Sequence, residues 1–155
     1  MVSSPKDLPQ LDTEREKERV ERAVADLVAA GSVKLEWLTT PTWRELQQRL
    51  NREKWHVFHF IGHGGLQSAE AGAPPSFDQE TEGFIVLSDG KGGAVEVSAS
   101  DLKVYLDSVS LRVVVLNCCE SARGTPTDNF ASPAAALVRR GVSAVIDANS
   151  ALPVS

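Results

Sequence analysis

Cysteine is scarce in this chain: its 155 residues include two, the adjacent Cys118 and Cys119. Neighbouring cysteines rarely bridge to each other and no third is available, which excludes a disulfide framework. The expected setting is cytoplasmic and reducing, with cysteine as a thiol. A basic excess is also missing. The 16 Lys and Arg stand against 21 Asp and Glu, for a net charge of −5, which argues against nucleic acid as a partner held by a positive surface. No apolar run approaches the roughly 20 residues of a membrane-spanning helix. Met1–Glu14 is polar and lacks the apolar stretch of a secretory signal. Neither GxxxxGK[ST] nor GxGxxG occurs, so nothing suggests a nucleotide-phosphate loop. There is no internal repeat.

What is present fits one soluble globular domain over residues 1–155, with 42% hydrophobic and 24% charged residues. Thr13 and Glu16 have capping-box spacing. Behind them Val20, Ala23, Val24, Leu27 and Val28 recur at helical intervals up to Gly31. The mixed charges of Glu14–Arg22 mark a solvated helix face. Val33–Leu38 is expected to be a short strand. Thr42 and Glu45 open a second helix with Trp43, Leu46 and Leu50 on one face. His56–Ile61 (HVFHFI) and Arg112–Leu116 (RVVVL) are near-continuous apolar runs, the pattern of strands buried on both faces. Residues Gln67–Glu82 are expected to form a surface loop. Phe84–Leu87 and Ala94–Val97 flank Ser-Asp-Gly-Lys-Gly-Gly, a hairpin pattern. Ser98 and Asp101 cap a helix through Leu106, Ser132–Gly141 is a further helix, and Ala144–Ile146 a last strand. Alternating helices and strands imply an α/β sandwich around a mostly parallel sheet.

Parallel sheets bind ligands beyond the carboxyl ends of their strands, and two such ends here carry reactive side chains. Phe60-Ile61-Gly62-His63-Gly64-Gly65 places His63 where one buried strand runs into glycines. Leu116-Asn117-Cys118-Cys119-Glu120-Ser121 places Cys119 at the end of another. If the strands are neighbours, both residues reach one rim. A thiol of ordinary pKa is only a few percent ionised at neutral pH, so an adjacent imidazole that takes its proton creates the nucleophile. Gly62 and Gly64 are expected to let a substrate backbone approach His63, with the Gly64 and Cys119 N–H groups as oxyanion donors. Alternation along the strand turns Cys118 inward, away from the reaction. His56 and His59 fall inside the strand and are assigned to structure. Adjacent cysteines diverge and no fourth ligand is evident, so neither a metal nor another cofactor is expected.

HFIGHGG and VVVLNCCESARG together resemble the paired motifs of the CHAT family, caspase-like domains often associated with tetratricopeptide repeats. They are similar also to the motifs of metacaspases in the same protease clan. In these patterns the histidine is the one followed directly by glycine, here His63. The cysteine is the one preceding Glu-Ser or Glu-Thr, here Cys119. LDTERE, EGFIVLSDGKG and SPAAALVRRGVSAVI also have counterparts in the family. The resemblance implies a caspase-like three-layer sandwich. It further implies a His63–Cys119 dyad hydrolysing peptide bonds in a protein or peptide substrate, in regulated proteolysis or bacterial defence signalling, with a repeat-type or other regulatory protein as partner. CHAT domains usually open with a strand ahead of the Ser3-Ser4-Pro5 segment and continue past Ala144–Ile146. The expectation is therefore a partial domain, truncated at both ends. The competing reading is an interaction module that keeps the caspase fold without turnover.

Overall fold

A computed structural model describes residues 1–67, 82–119 and 145–147. The elements are β1 (Val2–Ser3), α1 (Thr13–Ala29), α2 (Trp43–Arg52), β2 (Val57–Gln67), β3 (Glu82–Ser88), β4 (Ala94–Ser98), α3 (Ala99–Leu106), β5 (Val113–Cys119) and β6 (Val145–Asp147). The expected helix 132–141, and residues 68–81 of the expected loop, lie outside the described residues.

The helices begin and end for local reasons. Thr42 accepts from Glu45 N at 3.2 Å and starts α2, and Ser98 accepts from Asp101 N at 3.0 Å and starts α3. At α1 the cap is Asp12, which accepts from Arg15 N, one residue before the expected Thr13. The helix stops at Gly31, whose φ of 69° favours a residue without a Cβ. There Gly31 N donates to Val28 O and Ser32 N to Leu27 O, a Schellman closure.

The sheet runs β4-β3-β2-β5-β6, with β1 also paired to β2. β1–β2, β2–β5 and β5–β6 are parallel, whereas β2–β3 and β3–β4 are antiparallel. The sheet is thus mixed, not mostly parallel. Helix–strand alternation describes β2, β5 and β6 correctly. The tight Ser88–Gly93 turn forces β3 and β4 antiparallel, and β3 then pairs with Gly64–Gln67 of β2. The segment expected to lack its opening strand begins with the two-residue β1, Val2 beside Ile61 and Ser3 beside Gly62. Val33–Leu38 is not a strand. It has no strand partner and is held through side chains instead: Trp37 Nε1 donates to Glu21 at 2.8 Å, and Lys34 bonds Glu53 at 2.8 Å.

One face of the sheet buries Phe58, Phe60, Val114, Leu116 and Cys118 against Leu46 of α2 and Leu102 and Leu106 of α3. Leu46 and Leu102 are each 1% exposed, and burying a leucine side chain stabilises by about 1.5–3 kcal/mol. α1 lies over the other face, where Asn117 donates to Glu16 at 3.2 Å. α1 has no fully buried residue, so its docking is the looser of the two. No helix among the described residues is long and apolar enough to cross a membrane.

His56 precedes β2 and is exposed; its carbonyl accepts from Arg112 N and Val113 N. His59 lies within β2 on the α1 side. Burial holds its pKa below the ordinary 6.5, repulsion from the Met1 ammonium adds to this, and Glu16 opposes it. Below about pH 6.5 the unfolded chain takes up a proton that folded His59 resists. Its contribution to stability is therefore complete above that value and declines as pH falls toward the folded pKa. Urea unfolding of wild type and His59→Gln between pH 7.5 and 5 (a window of about one unit or more either side of the ordinary value) should show a shallower acid loss in the variant. Parallel pH profiles would overturn this assignment.

Candidate active site

β2 and β5 pair from Val57 opposite Val113 to His63 opposite Cys119, the last pair of the ladder. His63 and Cys119 are 56 positions apart in sequence, so only the parallel register makes them backbone neighbours. Cys119 ends β5 as the sequence predicts, whereas His63 lies inside β2, which does not stop at the glycines but runs on through Gly64–Gln67 to pair with β3. Cys118 is a buried thiol, 6% exposed and part of the core, which agrees with its expected inward orientation.

His63 is itself 3% exposed. Its Nε2 lies 2.8 Å from the carbonyl oxygen of Pro9. A carbonyl only accepts, so Nε2 carries the hydrogen in this contact. In a neutral imidazole the basic lone pair is then on Nδ1. Pro9 belongs to the segment between β1 and α1, which is tied to itself: Gln10 Nε2 donates to Pro5 O at 3.0 Å and to Leu8 O at 3.2 Å, and Leu11 N donates to the Ser4 hydroxyl. Sequence reading missed Pro9 because it acts through its main chain, and its side chain gives no chemical signal.

The glycines around His63 serve packing rather than access for a substrate. A Cβ on Gly62 would stand 2.5 Å from the Phe60 ring and 2.8 Å from Ser3 O. On Gly64 it would meet Phe84 O at 2.9 Å and Cys118 Sγ at 3.0 Å. The space beside these residues is already filled by the protein. Gly64 is the first residue past the last β2–β5 pair and stands opposite Ile85 on its other side.

Two positions before Cys119, Asn117 is bonded to Glu16, whose other oxygen is 2.5 Å from Arg19. The Glu16 side chain, expected in a capping box, thus docks α1 onto the sheet near the His63–Cys119 edge.

A mixed sheet in which His63 and Cys119 form the last pair of the parallel β2–β5 ladder is the frame of this molecule. The model of the CHAT domain matches residues 1–150, and the chain belongs to that family. CHAT domains are caspase-like and protease-related. No curated protein and no solved structure matches the chain.

Crowding at Gly64 is open to measurement. Gly64→Ala should cost about 1–3 kcal/mol in urea unfolding. Combining it with Cys118→Ala should recover about 0.5–1 kcal/mol relative to the sum of the single changes, because the two sites touch. Strict additivity would show that Gly64 and Cys118 do not crowd each other.

Proposed function

We propose that the chain is a cysteine endopeptidase of caspase-like type, with Cys119 as nucleophile and His63 as general base and acid. The observation that carries this reading is the pairing of His63 with Cys119 at the end of the β2–β5 ladder. His63 Nδ1 takes the thiol proton, and the Cys119 sulfur bonds to a peptide carbonyl carbon. The carbonyl oxygen becomes an oxyanion, with the Gly64 and Cys119 N–H groups as its donors. The C–N bond then breaks as the imidazolium gives its proton to the leaving amine. Water, deprotonated by the same imidazole, hydrolyses the thioester and regenerates the thiol. The substrate is a protein or peptide, and the setting is regulated proteolysis.

Pro9 supports the reading. A ring tethered at Nε2 loses rotational freedom, so its basic atom is held in position before a substrate arrives.

Iodoacetamide labelling near neutral pH followed by peptide mapping should modify Cys119 ahead of Cys118. His63→Ala should slow that labelling about tenfold or more, since an unassisted thiol is only a few percent ionised. Cleavage of a pooled peptide library should disappear in Cys119→Ala and fall by about 10²–10⁴ in His63→Ala. Preferential labelling of Cys118, or a labelling rate unchanged by His63→Ala, would sink the dyad. Normal labelling without any cleavage would favour the interaction module.

A further inference from the structure

Residues 4–11 form a strap between β1 and α1 that contains neither helix nor strand, and its Pro9 carbonyl is the acceptor for His63 Nε2. Individual hydrogen bonds therefore have to fix its path. Two of them tie it to the β3–β4 turn: Lys6 N donates to Gly92 O at 2.9 Å, and Ala94 N donates to the Asp7 carboxylate at 2.9 Å. These hold residues 6 and 7 and do not set the direction of the Pro9 carbonyl.

Two side chains act closer to Pro9. Gln10 folds back along the strap, and its amide nitrogen donates to the Pro5 carbonyl at 3.0 Å and to the Leu8 carbonyl at 3.2 Å. Only the NH₂ end of this side chain can meet two carbonyls, which fixes its orientation. With the Leu8 carbonyl taken up, the next one along the chain, Pro9 O, is the one that meets the His63 ring. Ser4 closes the strap at its neck. Its hydroxyl accepts from Leu11 N at 3.2 Å and stands 3.5 Å from Gln10 Oε1, at the limit of a hydrogen bond. Pro5 and Pro9 have fixed φ, so fewer backbone torsions remain to be ordered. Ser4 is half-buried, Gln10 is exposed, and both lie outside the hydrophobic core, so core packing does not account for their arrangement.

We propose that Ser4 and Gln10 are positioning residues for His63, clipping the strap so that Pro9 O is held ready for His63 Nε2 and Nδ1 is left as the basic atom of the ring. The inference rests on the dyad reading for its bearing on Cys119. The ring is 3% exposed, so its N–H has little water to turn to if the Pro9 carbonyl moves away. Without the clip the ring samples other orientations, and less of the time is its basic atom placed for proton transfer.

Exchange of the His63 Nε2 proton reports on the clip, and alkylation of Cys119 reports on the dyad. In the wild type that proton should be protected enough to appear in nitrogen-edited NMR spectra near neutral pH. Gln10→Leu keeps the bulk and removes both donors, and Ser4→Ala removes the neck bond. Each should speed exchange of the proton about fivefold, the worth of one net hydrogen bond, while amide protection along the β2–β5 ladder stays unchanged. Ser4→Thr retains the hydroxyl and should behave as wild type. Iodoacetamide labelling of Cys119 should slow in Gln10→Leu and Ser4→Ala, by a smaller factor than in His63→Ala. A proton that exchanges freely in the wild type, or is equally protected in both variants, would overturn the clip whatever the labelling shows. Loss of ladder protection in step with the proton would overturn it too, since both residues would then act on the whole fold. Faster proton exchange with unchanged Cys119 labelling would leave the clip standing and remove the dyad.

Discussion

The register between β2 and β5 is the constraint on which the candidate site depends. Side chains alternate along a strand, so a slip of one residue would reverse the faces that Phe58, Phe60, Val114, Leu116 and Cys118 present to the core. The burial of those five side chains therefore also sets His63 opposite Cys119. Site geometry and core packing are one energetic fact here. No local motif is needed to bring the two residues together, and no substitution in the core is neutral with respect to the edge.

The sheet faces are not equivalent. The face under α2 and α3 is filled by fully buried aliphatic and aromatic groups, with Trp43 and Tyr105 edge-to-face at 5.4 Å beside it. The face under α1 carries the polar and titratable groups, including His59, Asn117 and the buried His63. It is secured by a single strand-to-helix side-chain bond, Asn117 to Glu16, among the described hydrogen bonds. Tight packing supports the frame, while looser packing under α1 leaves a cavity beside His59.

Much of the frame was legible in the sequence because local signals and burial agreed there. HVFHFI and RVVVL are apolar on both faces; the face under α2 and α3 is buried as that pattern implies, but on the α1 side Val57 is 54% exposed and Val113 and Val115 are only half-buried. Thr42, Ser98 and the glycines of the Asp89–Gly93 turn act locally, with Gly90 and Gly92 at φ of 85° and 105°. Misreadings fell where tertiary context overrode pattern. Val33–Leu38 has strand-like composition but no neighbour to pair with. Asp12 outcompeted Thr13 because its carboxylate reaches Arg15 N. The hairpin joined the distal half of β2 and made the sheet mixed, an event that helix–strand alternation does not encode. The two glycines flanking His63 suggested access, but their actual neighbours, Phe60, Ser3, Phe84 and Cys118, come from four separate stretches of chain.

β2 changes neighbours along one edge: β1 lies beside Ile61 and Gly62, and β3 takes over at Gly64. Its other edge carries β5 as far as His63. The histidine thus stands at a seam where the first dozen residues, the middle of the chain and residues beyond 112 converge. Contacts so distant in sequence form late, because loop closure must precede the interactions that reward it. During synthesis the chain emerges from its amino terminus onward, so His63 and its Pro9 tether are available long before Cys119 is made. The nascent polypeptide carries half of the proposed pair, and the other half arrives only when the strand that completes the frame arrives with it.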